Sequence, residues 1–300
     1  MHQPSPIVLF TYLRLETLQK TVNALAANFY ASDSDLIIFS DGAKYLKDEA
    51  KVQEIRTYLK TIQGFKSVVV HESSSNKGLA TSIIHGLSSV LKTYPSAIVL
   101  EDDLITSSNF LAYMNQALTY YRDNPKVLSI SGFSPIIKGL GENDVYFTQR
   151  SSSWGWACWT DRWAKIDWSC ESYQEFRINS KMKSKFNAMG SDMSLMLKRQ
   201  MEGKINSWAI RFCFHQFNHN LFSVHPAVSK IENVGISDEH ATNTIQNFSR
   251  FKTNFDSTGN IFFQFDSQVK LSRKIIKQFV YPNSIIIRLL NKILTLITIK

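Results

Sequence analysis

The sequence predicts an α/β fold, a central mainly parallel sheet flanked by helices on both faces, closed by a basic amphipathic helix at the C-terminus. Three observations carry this expectation. Short apolar, β-rich runs alternate with longer stretches of helical period through the first half of the chain. The 300 residues are 44% hydrophobic, enough for one large core or two small ones. The charge is confined to one end: seven of the 34 basic residues and none of the 25 acidic ones lie from Ser267 onward, so residues 1–266 carry a net +2 out of the +9 total.

Taken in order, the strand candidates are Pro6–Phe10, Leu36–Phe39, Val68–Val70, Ala97–Leu100 and Val127–Ile130. Each is short, apolar and rich in β-branched residues or phenylalanine. Helical stretches separate them at about Glu16–Phe29, Asp48–Ile62, Leu79–Tyr94 and Asn109–Arg122; the third shows its period in Leu79, Ile83, Gly86, Leu87, Val90 and Leu91. The second half opens with Trp154, Trp156, Trp159, Trp163 and Trp168. Helical segments follow near Glu171–Asn187 and Asp192–Glu202, then a mixed segment from Trp208 to Pro226. No repeat or low-complexity linker divides the chain. The expected organisation is a single domain over 1–266, with a first half at about 1–135, a second at about 145–260, and a tail at 267–300.

In that tail Ser284–Lys300 is mostly isoleucine and leucine, with Ser284, Arg288, Asn291, Lys292, Thr295 and Thr298 on one helical stripe. The interruptions leave it short of the roughly 20 apolar residues of a spanning helix. It reads as a helix lying in a membrane interface, the plainer alternative being a helix docked on the protein itself or on a partner. A nearly neutral body disfavours a nucleic-acid groove. Cys158, Cys170 and Cys213 are odd in number and form no C-x-x-C pair, so neither a disulfide framework nor a zinc site is expected. With no secretory signal visible, the expected setting is cytoplasmic, at the inner face of the cell membrane.

In parallel sheets, ligands sit outside the carboxyl ends of the strands. There the sequence places Glu101-Asp102-Asp103, three carboxylates in a row after a buried strand. Like charges so close raise each other's pKa unless a cation compensates, and Mg²⁺ or Mn²⁺ is the natural compensator; a solvated acidic turn is the alternative. Arg14 follows the first strand at a helix start, a poor place for a cation unless an anion such as a diphosphate, or a nearby acid such as Glu16, answers it. Asp41, in Ser40-Asp41-Gly42, is placed to accept from a nucleobase or simply to form a turn. Lys77, in Asn76-Lys77-Gly78, is placed to meet phosphate or to open a helix.

In this order, Pro6-Ile7-Val8-Leu9-Phe10-Thr11-Tyr12-Leu13-Arg14, Ser40-Asp41-Gly42, Asn76-Lys77-Gly78-Leu79 and Val99-Leu100-Glu101-Asp102-Asp103-Leu104 resemble inverting glycosyltransferases of the GT-A fold. The resemblance is to bacterial family-2-like sugar transferases and the N-acetylglucosaminyltransferase I type, over residues 5–245. It implies a nucleotide-diphospho-sugar donor, a glycan or lipid-linked acceptor, and Mn²⁺ or Mg²⁺ on Asp103. It also implies Asp102 and Glu101 at the ribose and donor sugar, Arg14 facing the diphosphate, Asp41 near the base, and Thr11 and Lys77 in the same donor site. Trp154-Gly155-Trp156 is similar to a Gly-Trp segment lining the donor and acceptor pocket, which assigns Gly155 and Trp156 to it; core packing is the other reading of these tryptophans.

Inverting transfer needs a carboxylate to take the acceptor's proton. Where the N-acetylglucosaminyltransferase I type has Trp-Asp-Asp-Trp, this chain has Ser207-Trp208-Ala209-Ile210-Arg211, without an acid. Asp192, after Gly190-Ser191, is the candidate base, with a helix-start role as its alternative; Asp238, Glu239 and His240 are a second option. Asn243 stands where many bacterial relatives carry a histidine. A sugar nucleotidyltransferase is expected to show a glycine-rich loop after the first strand, and Thr11–Thr17 contains no glycine; the same absence disfavours a dinucleotide oxidoreductase. A non-catalytic, membrane-associated carbohydrate-binding protein stays open because of the missing acid near Trp208.

Overall fold

The computed structural model describes residues 3–140, 143–235 and 251–298, with the side chains of 292 and 295–298 left aside. Asp238, Glu239, His240 and Asn243 lie outside the described residues.

The first half follows the expected alternation. It runs β1 (Ile7–Thr11), α1 (Leu15–Ala26), β2 (Asp35–Ser40), α2 (Glu49–Leu59), β3 (Ser67–Glu72), α3 (Leu79–Val90), β4 (Ser96–Glu101), β5 (Leu104–Thr106), α4 (Phe110–Tyr120) and β6 (Val127–Ser131). After β6 come β7 (Val145–Thr148), β8 (Trp156–Trp159) and the short α5 (Thr160–Trp163). Then follow α6 (Tyr173–Ile178), α7 (Ser180–Asn187), α8 (Met193–Met201), α9 (Trp208–Asn218), β9 (Phe222–Pro226), β10 (Ile231–Asn233), α10 (Arg273–Val280) and α11 (Ile285–Thr298).

Eight strands form one sheet in the order β3-β2-β1-β4-β8-β6-β9-β7, while β10 and β5 pair separately. β1 is parallel to both β2 and β4, and β2 to β3. β8 is antiparallel to both β4 and β6, so β6 regains the direction of β4; β9 shares it, and β7 opposes it. The sheet is mostly parallel, with β8 and β7 reversed.

Alternation along the strands assigns each residue to a layer. Ile7 and Leu9 of β1 pack with Leu18, Val22 and Leu25 of α1 and with α4, while Val8 and Phe10 pack with Ala80, Ile83 and Leu87 of α3 on the opposite face. Because both faces are covered, these strands read as continuous apolar runs. α3 comes close enough for Gly86 to rest on the Phe10 ring; a Cβ there would stand 2.9 Å from it. Replacing a fully buried residue such as Ile98 by alanine would cost about 2–5 kcal/mol.

One sequence expectation is revised. The single helix over Glu171–Asn187 is two, because Asn179 leaves the helical conformation and its side chain accepts from the Met182 amide at 3.1 Å, capping α7. The mixed segment expected from Trp208 to Pro226 is α9 followed by β9. The tail comprises α10, a 3₁₀ turn at Tyr281–Asn283, and α11. No helix among the described residues is long and apolar enough to cross a membrane.

Candidate functional site

The parallel strands deliver their carboxyl ends to one edge of the sheet, and the acidic triplet sits there. β4 ends at Glu101, and Asp102-Asp103 make the turn into β5. Both aspartates are buried. Arg14, the residue preceding α1, reaches across to them: Nη2 lies 2.5 Å from Asp102 Oδ1 and Nη1 2.8 Å from Asp103 Oδ2. The sequence posed a cation at a helix start as an electrostatic conflict; the structure resolves it within the chain, through Asp102 and Asp103.

Asp102 is further held by the Thr11 hydroxyl, which donates to Oδ2 at 2.9 Å, and by the Tyr12 amide at 3.1 Å. Asp103 is satisfied on one side only. Its Oδ1 is buried and has no hydrogen-bond partner among the described residues. The chain beyond β10 closes over it: the Val234 amide donates to the Asp103 carbonyl at 2.9 Å, and a Cβ at Gly235 would stand 2.3 Å from Asp103 Oδ2 and 2.7 Å from Arg14 Nη1. Only glycine lets the backbone approach the carboxylate this closely.

One guanidinium for three carboxylates leaves the cluster electron-rich. Burial, then the charges of Asp103 and Asp102, push the Glu101 carboxyl up to about 8, with Arg14 opposing. Burial also lifts Asp102 above the usual carboxylate range, even though Arg14, Thr11 and Tyr12 pull it down. Arg14 is held protonated: its burial alone would lower its pKa, and the two aspartates more than offset this.

Beside this cluster, at the end of β2, Asp41 is saturated by backbone. Its oxygens accept from the amides of Gly42, Lys77 and Gly78, each at 2.9 Å. Asn76 Nδ2 donates to the Gly42 carbonyl at 3.0 Å, and Gly42 lies against the Ser75 backbone. Asp41 therefore clamps two strand-end loops together, while the Lys77 ammonium is exposed.

Gly155 lies on the same edge, where its carbonyl accepts from the Gly132 amide. Its φ of +56° and its contact with Ile231 both call for glycine. The Trp156 side chain points into the core. It is 2% exposed and stacked on Trp208 at 4.7 Å, beside Trp163 and Phe212. This is the packing alternative for the ring, since neither face is open to a sugar. Its neighbour Trp154 is only partly buried, with Phe133 and Phe251 edge-on to it.

Asp192 belongs to a different constellation, away from the acidic triplet. Arg150 grips it with two hydrogen bonds of 2.8 and 2.9 Å, and the Arg150 carbonyl lies against His225 of β9, three strands from β4. Burial alone would raise the Asp192 carboxyl, yet the Arg150 guanidinium holds it below the usual range. Sequence reading had no signal for this partner, 42 residues away. It also passed over Gly235, although a glycine just after a strand is a cue for close backbone approach.

Could the cluster hold a divalent ion? Among the described residues no three His, Cys, Asp or Glu side chains are grouped as ligands of one ion. Asp103 nevertheless offers one buried, unshared oxygen. A hard cation bound by one or two carboxylates, with substrate phosphates and water completing its shell, fits that donor set.

No protein-family model matches the chain, and no curated protein matches it in sequence. Similar solved structures include the mannosyltransferase PcManGT from Pyrobaculum calidifontis in complex with GDP-Man and Mn2+, at 12% identity over 53% of this chain and 45% of that one, TM-score 0.36. TarS of S. aureus is similar at 13% identity over 46% of this chain and 22% of that one, TM-score 0.30. The chain spans less than half the length of either, and both likenesses are distant.

Proposed function

We propose that the chain is a metal-dependent glycosyltransferase of GT-A type, moving a sugar from a nucleotide-diphospho-sugar to a glycan or lipid-linked acceptor with inversion. The observation that carries this reading is the half-satisfied Asp103: a buried carboxylate at the carboxyl end of a central parallel strand, with Arg14 on one oxygen and nothing among the described residues on the other. Burying an unpaired carboxylate oxygen is costly, and a ligand is the usual compensation. The ordered motifs that resemble GT-A transferases converge on the same edge of the sheet.

In this reading the chain's residues divide the work. Asp103 would hold Mn²⁺ or Mg²⁺, which when bound neutralises charge on the leaving diphosphate. Thr11 and the Tyr12 amide fix the Asp102 carboxylate. Arg14 supplies a second positive charge at the place where the diphosphate gathers negative charge. Asp41 ties the loops after β2 and β3 into one rim by accepting three amides. Asp192 serves as the counter-ion of Arg150, which makes it a weak base, so the reading rests on the donor half of the reaction.

Isothermal titration of nucleoside diphosphates, with and without Mn²⁺, is the decisive test. Binding that requires Mn²⁺ and disappears in Asp103→Asn is expected. Tight metal-independent glycan binding, with no nucleotide binding, would instead establish a carbohydrate-binding module.

A further inference from the structure

α11 is an amphipathic helix mounted with its polar side inward. Ile285, Ile286, Leu289, Leu290, Ile293 and Leu294 occupy adjoining positions at helical spacing and are 44–70% exposed. The opposite stripe carries Ser284, Arg288 and Asn291. Arg288 Nη1 donates to the Ser191 hydroxyl at 3.0 Å, Asn291 is buried, and the Ser191 hydroxyl donates to the Asn283 carbonyl at 2.7 Å. A helix docked on its own protein to build a core buries its apolar face. This one does the reverse, so its apolar stripe is presented to something outside the chain.

What lies outside is indicated by charge. α10 leads through the 3₁₀ turn into α11 and carries exposed Arg273, Lys274 and Lys277, which with Lys138 and Gln278 line a basic groove. Gln278 anchors that groove by exchanging two hydrogen bonds with the Lys138 backbone, at 2.9 and 3.0 Å. Ile275 and Phe279 fix α10 to Tyr146 from behind. At the junction of the two helices Tyr281 is 62% exposed, an amphipathic ring between a basic and an apolar surface. From Ser267 onward there are seven basic residues and no acid. A second copy of this chain would oppose that charge with the same charge. A bilayer surface with anionic headgroups answers both features: headgroup phosphates for the basic groove, and the acyl boundary for the apolar stripe.

We infer that α10 and α11 form a monotopic membrane-docking surface for anionic phospholipid, with α11 lying in the interface plane. The inference is independent of the sugar-transfer reading, since none of these residues belongs to the acidic cluster.

The test is co-sedimentation of the full chain with vesicles of phosphatidylcholine containing about one third phosphatidylglycerol, against vesicles of phosphatidylcholine alone. Strong binding to the anionic vesicles, released by salt, is expected. The triple variant Arg273→Gln, Lys274→Gln, Lys277→Gln should lose roughly 100-fold in partitioning, at about five-fold for each charge. The pair Leu289→Asp, Leu290→Asp should lose on the order of 100-fold or more on either vesicle. These side chains are exposed, so circular dichroism and melting should match wild type and exclude misfolding. Failure of the wild type to bind anionic vesicles, or unchanged binding by the Leu289→Asp, Leu290→Asp variant, overturns the proposal. So does a wild-type dimer in sedimentation equilibrium that this variant converts to monomer, because the occupant is then a second copy.

Discussion

Replacing Arg14 by alanine removes the one partner that Asp103 Oδ2 has among the described residues, and one of the partners of Asp102. The guanidinium side chain is 16% exposed, and the two carboxylates 5% and 11%. Breaking a buried pair from one side costs about 3–5 kcal/mol, because the remaining charge stays desolvated. Asp102 keeps the Thr11 hydroxyl and Tyr12 amide and can take up a proton, which favours the lower end, about 3 kcal/mol. With an unfolding entropy of about 2.1 cal/mol/K per residue, a 300-residue chain loses roughly 5 °C of melting temperature. Thermal melts at neutral pH should show that loss in Arg14→Ala, and a smaller one in Arg14→Lys, whose single ammonium cannot span both carboxylates as a planar fork does. Asp103→Asn added to Arg14→Ala should recover part of it, since the charge left stranded is then gone. If Arg14→Ala melts within about 1 °C of wild type, or if the two changes are simply additive, the clasp is not what compensates the acidic cluster.

Four further outcomes follow from the geometry. Gly235→Ala forces a Cβ into Asp103 and Arg14 and should cost about 1–3 kcal/mol in urea melts, with weakened nucleotide binding by titration. Asp41→Ala strands the amides of Gly42, Lys77 and Gly78. At about 1 kcal/mol for each lost bond, denaturant midpoints should fall by an equivalent of about 3 kcal/mol, and by less in Asp41→Asn. Burial lowers His215 and His225 to about 4, with His219 adding to the shift at His215 and the Phe133 and Arg150 carbonyls opposing it at His225. At these two sites the unfolded chain binds more protons than the folded one, so the histidines' contribution to stability is complete above about pH 6.5 and is lost toward pH 4, by up to about 3 kcal/mol for each, as measured by urea melts of wild type against His215→Gln and His225→Gln across that window. Asp192→Asn leaves Arg150 buried and half-paired and should destabilise by about 3 kcal/mol, with little change in any sugar transfer by the folded protein; a 100-fold loss of kcat at unchanged Tm would identify Asp192 as the base.

The first half of the fold was legible because β1, β2 and β4 are buried on both faces and so appear in the sequence as uninterrupted apolar runs between turns. The edge at which they end follows from the parallel order, and with it the positions of Thr11, Arg14, Asp41 and Asp103. β8 does not stand out in the sequence because its four residues, Trp-Ala-Cys-Trp, are all buried between β4 and β6 and show no alternation. The strands β5 and β10 are three residues each, too short to show a period. Asn179 was hidden inside a helical pattern that its own side chain interrupts. The electrostatic misfit of Arg14 could be read locally. Its resolution lies 88 and 89 residues further along the chain, and only tertiary structure supplies it. The same is true of Asp192, whose partner Arg150 lies 42 residues away in the chain.

The place of β8 in the sheet also bears on how the protein is made. On one side β4 pairs with β1, already synthesised; on the other it waits for β8, which follows only after the 54 residues between Glu101 and Trp156. At ribosomal rates of about 5–20 residues per second, the edge formed by Ser96, Ala97, Ile98 and Val99 goes without its partner for roughly 3–11 s. An apolar strand with free amides and carbonyls is a template for pairing with another chain. The yield of folded protein is thus sensitive to translation speed across the stretch from Asp102 to Gly155, and slow codons there lengthen the vulnerable interval without altering the stability of the finished molecule.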